Sequence, residues 1–239
     1  MLQKADVLVV VPAFNEAASI AQVLSDIRSN GFDALVVDDG STDSTASIAR
    51  ESQASVVSLP LNSGVGGALR CGFRYAVENG YSAIIQCDAD GQHLSQHLDD
   101  LLQASNSSAA HMVIGSRFRS EQNTLDPSSI RRFAMWWLAR VARFATGHPI
   151  TDSTSGFRII RQPLLSEFAQ HLPPYYLGDT FEAVVVAGRS GYAVEEIGVA
   201  MAPRASGASS ASSGRAIVLI GKSLATVLLG LHFRIRRLK

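Results

Sequence analysis

Three short acidic strings carry the first chemical signal. Pro12-Ala13-Phe14-Asn15-Glu16, Asp38-Asp39-Gly40-Ser41-Thr42-Asp43 and Asp88-Ala89-Asp90-Gly91-Gln92-His93 each follow an apolar run of strand length. Gathering carboxylates in a partly buried place is costly unless a cation or hydrogen-bond donors compensate. Aspartates two apart, just past a strand, can turn their oxygens toward one hard divalent cation. Mg2+ would keep some waters and take further ligands from a diphosphate, and Mn2+ suits the same oxygen-rich site. Taken singly, Asp88 and Asp90 read as well as turn and cap residues, and Asp38-Asp39-Gly40-Ser41 as a turn and N-cap. It is the order of all three strings that points to a site.

The elements that must position these strings follow from periodicity. Strands are expected at Asp6–Val11, Ala34–Asp38, Ser55–Leu59, Ser82–Cys87 and His111–Gly115, with helices at Ala17–Asn30, Thr42–Gln53, Gly66–Asn79 and Ser95–Ser105. The strands are near-continuous apolar runs, as strands buried on both faces should be. Strand–helix alternation at this spacing implies right-handed crossovers and a mostly parallel sheet, an α/β fold whose ligands bind at the carboxyl ends of the strands. The second half is less regular. It offers helices over Ile130–Thr146, Gln162–His171 and Asp179–Ser190, a turn-rich Asp152-Ser153-Thr154-Ser155-Gly156, and a strand near Ala193–Ala200. Ser206–Gly214, almost wholly Ser, Ala and Gly, reads as a flexible loop.

The ordered strings resemble family-2 glycosyltransferases of the glycosyltransferase-A fold. Asn62-Ser63-Gly64-Val65-Gly66-Gly67-Ala68-Leu69 and Gly115-Ser116-Arg117-Phe118 narrow the likeness to dolichyl-phosphate mannose synthase and bacterial polyprenyl-phosphate glycosyltransferases. Asp152 with Ser155-Gly156-Phe157-Arg158, and Arg204 with Gly207, extend it to about residue 210. The resemblance implies a single catalytic domain over residues 1–215, Rossmann-like with a mostly parallel sheet. Pro12, Phe14 and Glu16 would line the nucleoside pocket, Asp38 or Asp39 would read base and ribose, and Asp88, Asp90 and Gln92 would hold Mg2+ or Mn2+ against the donor diphosphate. Arg117, Arg131 and Arg204 fall where the family places arginines for acceptor or donor phosphates, and Asp90, Arg117 and Asp152 are the expected catalytic set. Many relatives carry Lys where this chain has Val65, which weakens the glycine-rich loop as a phosphate binder.

In sugar transfer from a nucleotide sugar, charge builds on the departing diphosphate, which a divalent cation stabilises as a Lewis acid. A phosphate-monoester acceptor is already anionic near neutral pH, its second pKa being about 6, and has little need of a base. It needs arginines to hold two repelling anions in line. A hydroxyl acceptor on a saccharide or protein would instead need a carboxylate base, for which Asp152 or Asp179 would serve. The resemblance also implies inversion at the anomeric carbon. The Gln-x-x-Arg-Trp string usual in processive polysaccharide synthases does not occur. The opening string is also not the Thr-Arg-containing glycine loop of nucleotidyltransferases. A noncatalytic nucleotide-sugar-binding module is the reading from another class, and the intact Asp88, Asp90 and Gln92 argue against it.

Composition sets the frame. In 239 residues, 46% are hydrophobic and 18% charged, which excludes disordered, collagenous and coiled-coil chains. Two cysteines, Cys71 and Cys87, point to a reducing compartment and away from a zinc cluster. The first apolar run, Val7 to Val11, has strand length rather than that of a signal-peptide core. Zero formal net charge conceals an asymmetry: seven basic residues and no acidic one lie between Arg204 and Lys239. Residues 216–239 read as an amphipathic, basic helix at a membrane interface, because only eleven uncharged residues follow Lys222, short of the ~20 that span a bilayer. Arg132, Trp136, Arg140 and Arg143 fall on one face of a helix, beside Phe133, Trp137, Val141 and Phe144. This reads either as a second interfacial helix or as a core helix with a solvated basic edge. The expected partners are a nucleotide sugar, a polyprenyl phosphate, the cytoplasmic face of a membrane and a small membrane subunit, with no nucleic acid.

Overall fold

The computed structural model describes residues 1–92, 95–119, 129–171 and 179–201, with backbone alone over 129–135 and at 179. Arg204, the Ser206–Gly214 loop, the proposed boundary at residue 215 and the helix expected over 216–239 lie outside the described residues, as does His93.

One seven-stranded sheet runs in the order β3-β2-β1-β4-β6-β5-β7. Its strands are β1 (Val7–Ala13), β2 (Asp33–Asp38), β3 (Ser55–Ser58), β4 (Ala83–Gln86), β5 (Met112–Ser116), β6 (Arg158–Arg161) and β7 (Val194–Gly198). All are parallel except β6, which runs against both β4 and β5. The mostly parallel α/β sheet of a single domain is therefore borne out. The helices are α1 (Ile20–Ser29), α2 (Thr45–Glu51), α3 (Val65–Glu78), α4 (His97–Ser107), α5 (Ser129–Thr146), α6 (Leu164–His171) and α7 (Asp179–Arg189).

Alternation along β1 explains the two-sided core. Leu8 and Val10 pack with residues of α3, α5, α6 and α7, whereas Val7, Val9 and Val11 pack with residues of α1, α2 and α4. Helix α3 lies so close to the sheet that a Cβ on Gly72 would come within 2.4 Å of Val10 Cγ1, so only glycine fits there.

Two strand features depart from the sequence expectation. β1 continues through Pro12 to Ala13. β4 stops pairing with it at Val10, so Pro12 has a neighbour on one side only, where a strand tolerates proline. β6 was not foreseen, since Arg-Ile-Ile-Arg is too short to show a period and is flanked by charge. Its antiparallel course matters for the site. Its first residue, Arg158, stands at the same sheet edge as the last residues of β4 and β5, so residues 151–157 arrive at that edge.

Candidate active site

The strand order reverses between β1 and β4, and the loops after these two strands flank the crevice where α/β sheets take their ligands. Of the residues foreseen from sequence, Pro12, Phe14, Glu16, Asp38, Asp39, Asp88, Asp90, Gln92, Arg117 and Asp152 all gather along this one edge. Arg131 lies in the first turns of α5, where only the backbone is described.

The β1 and β2 loops are sewn together by short polar side chains. Asn15 takes a left-handed φ of 56°, which asparagine tolerates better than most residues. Its N–H donates to Ser41 Oγ at 2.9 Å, and its Oδ1 accepts the Thr42 N–H at 2.9 Å. The Glu16 N–H donates to Thr45 Oγ1 at 2.8 Å, and Ser19 Oγ donates to Glu16 Oε2 at 3.2 Å. Phe14 is left exposed at the rim.

Asp38 and Asp39 are buried. Asp38 accepts the Ser41 N–H at 3.2 Å. Asp39 accepts the Ser63 N–H (2.7 Å), Ser63 Oγ (2.8 Å) and the Gly64 N–H (2.8 Å). A carboxylate thus sits at the N-terminus of α3, where the helix dipole favours it. The consequence for the glycine-rich loop is direct: the amides of Ser63 and Gly64 point at Asp39 and are not offered to a phosphate.

Past β4, Asp88 is half-buried and Asp90 buried, and Asp90 Oδ1 accepts the Gln92 N–H at 3.1 Å. Gly156 closes the floor beneath Asp88, since a Cβ there would lie 2.9 Å from Asp88 Oδ1. The donors at this strand end are oxygens, the set a hard divalent cation takes. Among the described residues no three His, Cys, Asp or Glu side chains come together as a metal cage. The fit is therefore to an ion held by one or two carboxylates, keeping waters and taking ligand oxygens. Cys87, beside Asp88, is buried, and burial pushes its thiol pKa up, so it is a core residue rather than a nucleophile.

The opposite flank is built by arginine. Arg117 Nε donates to Asp152 Oδ2 at 2.8 Å and Nη2 to Oδ1 at 3.0 Å, a bidentate pair reinforced by the Arg117 N–H at 3.2 Å. The Asp152 side chain is 0% exposed and that of Arg117 27%, so the guanidinium forms the outer end of the pair. Hydrogen bonding to Asp152 raises the Arg117 pKa against the opposing effect of burial, with the charges of Asp152 and Asp88 adding to the rise. Thr154 Oγ1 donates to Asp152 and accepts from Arg117.

Sequence reasoning did not single out Glu196. On β7 it occupies the sheet face of Val194, with its side chain 0% exposed. It accepts the N–H groups of Thr151 and Asp152 and the Thr151 hydroxyl, and Arg119 Nε lies 3.2 Å from Oε2. The available signal was an acidic residue in phase with the apolar face of a strand.

Helix α5 resolves into two faces. Leu138 and Ala142 are buried and Val141 packs on the core, whereas Trp136 (56%), Phe144 (88%), Arg140 and Arg143 are exposed. The basic edge therefore carries exposed aromatics as well. No helix among the described residues is long and apolar enough to cross a membrane.

Known proteins share this chain's family and fold. The family model described as "Glycosyl transferase family 2" matches residues 8–168. The chain is 33% identical, over 166 residues covering 66% of it and 68% of the relative, to an undecaprenyl-phosphate mannosyltransferase of Micrococcus luteus. It is 25% identical, over 80% of its length and 83% of the relative, to a UDP-N-acetylglucosamine–dolichyl-phosphate N-acetylglucosaminyltransferase of Methanococcus voltae. Its fold matches that of glucosyl-3-phosphoglycerate synthase from Mycobacterium tuberculosis, solved with Mn2+, UDP and phosphoglyceric acid. The TM-score is 0.68 at 22% identity, over 93% of this chain and 77% of that one. The chain is a nucleotide-sugar glycosyltransferase with the glycosyltransferase-A fold, and it belongs to glycosyl transferase family 2.

Proposed function

We propose that this glycosyltransferase moves a sugar from a GDP- or UDP-linked donor to a polyprenyl phosphate, with inversion at the anomeric carbon. The observation that carries the acceptor is the state of Asp152. Of the two carboxylates expected to serve a hydroxyl acceptor as base, Asp152 has both oxygens bound by the Arg117 guanidinium in a buried pair, and the Asp179 side chain lies outside the described residues. A phosphate acceptor needs no such base, and it needs a cation held in place. The named relatives, one acting on undecaprenyl phosphate and one on dolichyl phosphate, support the same reading.

In this reading Pro12, Phe14 and Glu16 line the nucleoside pocket, and Asp38 meets the base and ribose. Asp39 acts through the loop it holds. Asp88, Asp90 and Gln92 hold Mg2+ or Mn2+, which when bound supplies positive charge to the donor diphosphate. Arg117 faces the acceptor phosphate, with Arg131 and Arg204 as further phosphate contacts. Asp152 fixes Arg117 so that the acceptor oxygen and the anomeric carbon meet in line. The exposed Trp136, Arg140, Arg143 and Phe144 of α5 give a basic, aromatic stripe suited to an anionic membrane surface. They support peripheral attachment at the cytoplasmic face, with a small membrane subunit as a further tether.

The test pairs purified protein and Mg2+ or Mn2+ with labelled GDP- and UDP-sugars and a short polyprenyl phosphate. Label entering the organic phase, and ceasing with chelator, is the expected result. Donor hydrolysis without lipid labelling would move the acceptor to a hydroxyl. Folded protein with neither signal would favour a binding module.

A further inference from the structure

We infer that Glu196 is a positioning residue for sugar transfer, acting through Asp152 on Arg117. The inference rests on reading Arg117 as the cation that faces the acceptor phosphate. Glu196 stands where the β7 pattern calls for an apolar side chain, and burying a carboxylate there is unfavourable unless it is fully hydrogen-bonded. Its compensation is specific. The N–H groups of Thr151 and Asp152 approach Oε1 at 3.0 and 2.6 Å, and Thr151 Oγ1 approaches Oε2 at 2.9 Å. Arg119 closes the set from the β5 side, with Nε 3.2 Å from Oε2 and Nη1 donating to the Glu196 carbonyl at 2.9 Å.

These bonds fall on the backbone of the residue that grips Arg117. They also join both segments that carry the pair. Residues 116–119 leave β5, residues 151–154 precede β6, and Ser116 Oγ meets Thr151 Oγ1 at 3.0 Å between them. Among the described residues the β5–β7 ladder ends at Ser116–Gly198, with one further backbone bond from the Val199 N–H to the Ser116 carbonyl at 3.0 Å. A hydrophobic residue at 196 would fill the space yet leave the Asp152 amide without its acceptor. The carboxylate is thus the part that sets where Asp152, and with it the guanidinium, is held.

The test is a double-mutant cycle of Glu196→Gln with Arg117→Lys, read as kcat and as KM for the donor. Gln keeps the shape but sets an NH2 group against donors. The expected loss in Glu196→Gln is about 10–100-fold in kcat, as for other supports behind a reacting group, with donor KM changed less than about threefold. In the Arg117→Lys background the same substitution should cost less than about threefold more, because its route of action is already broken. Losses that multiply in the double variant would overturn the inference, as would wild-type kcat in Glu196→Gln. If Glu196→Gln does not fold, Glu196→Asp takes its place in the cycle with the same two outcomes. Wild-type protein that leaves the lipid phosphate unlabelled would defeat the acceptor reading. The cycle, read on whichever acceptor is labelled, would still decide whether Glu196 acts through Arg117.

Discussion

On the β1–β2 side of the sheet edge, Asp38 and Asp39 are held by neutral donors, the amides and hydroxyl of Ser41, Ser63 and Gly64. On the β5–β7 side, Asp152 and Glu196 are held in part by Arg117 and Arg119. Both solutions satisfy buried carboxylates, and they leave opposite fields behind. Neutral donors satisfy Asp38 and Asp39 without bringing a positive charge to them, which leaves a place suited to hydroxyl groups and a hard cation. The arginine pairs cancel the charge and leave a guanidinium as the outer end of an oriented dipole, a place that accepts an anion. In the proposed reaction, which joins two anions, the first side would hold the cation and the second an anion.

The contrast can be broken most severely on the acidic side. Asp90→Ala is expected to lower kcat by on the order of a hundredfold to a thousandfold, the scale of losing one group aimed at transition-state charge. Steady-state transfer at saturating Mn2+ checks it, and unchanged turnover would remove Asp90 from the ion site. On the basic side, Arg117→Ala leaves Asp152 buried without its guanidinium. The expected cost is near the low end of the ~3–5 kcal/mol for a broken buried pair, since Arg117 is itself 27% exposed. Urea unfolding would read it. Arg117→Lys should recover part of that stability without recovering the rate, because an ammonium cannot reproduce the fork.

A smaller effect separates support from chemistry on the acidic side. Asp39→Asn keeps one oxygen for the Ser63 N–H and hydroxyl but turns an NH2 group against the Gly64 N–H, and is expected to cost about 1–3 kcal/mol. Donor KM should rise several-fold while kcat holds, as the displaced loop reshapes the nucleoside side. The smallest expected effect is with pH. The Arg117 pKa is raised, so its pairing energy is complete below the ordinary guanidine value and is lost only as pH climbs through the raised one. Stability from this pair should therefore be flat between about pH 6 and 10. The transfer rate should rise through about pH 6 as the acceptor phosphate loses its second proton, and then level off.

The acidic side was the more legible from sequence, and the reason is local. Asp38-Asp39 and Asp88-Ala89-Asp90 stand at the ends of two largely apolar runs that announce buried strands, so their shared edge follows from strand direction alone. Arg117 and Asp152 are both legible as site residues, but their bond joins positions 35 residues apart, and Asp152 is brought to this edge by β6, a strand too short to show a period. The Glu196 contact with Asp152 spans 44 residues and depends on β7 lying beside β5. Such partners are set by sheet order, which periodicity does not encode. The same holds for the glycine-rich loop, whose composition suggests phosphate and whose amides in fact serve Asp39.

The central claim is that the acceptor is an anion met by a fixed cation, without a base. Its most direct measurement is competition between a short polyprenyl phosphate and the same polyprenol lacking phosphate, with one labelled donor and saturating Mn2+. Label is expected on the phosphate alone, with transfer to the alcohol at least about a thousandfold slower, the scale of losing the charged oxygen and its positioning. Comparable labelling of the alcohol, or of a saccharide hydroxyl in place of either lipid, would contradict it.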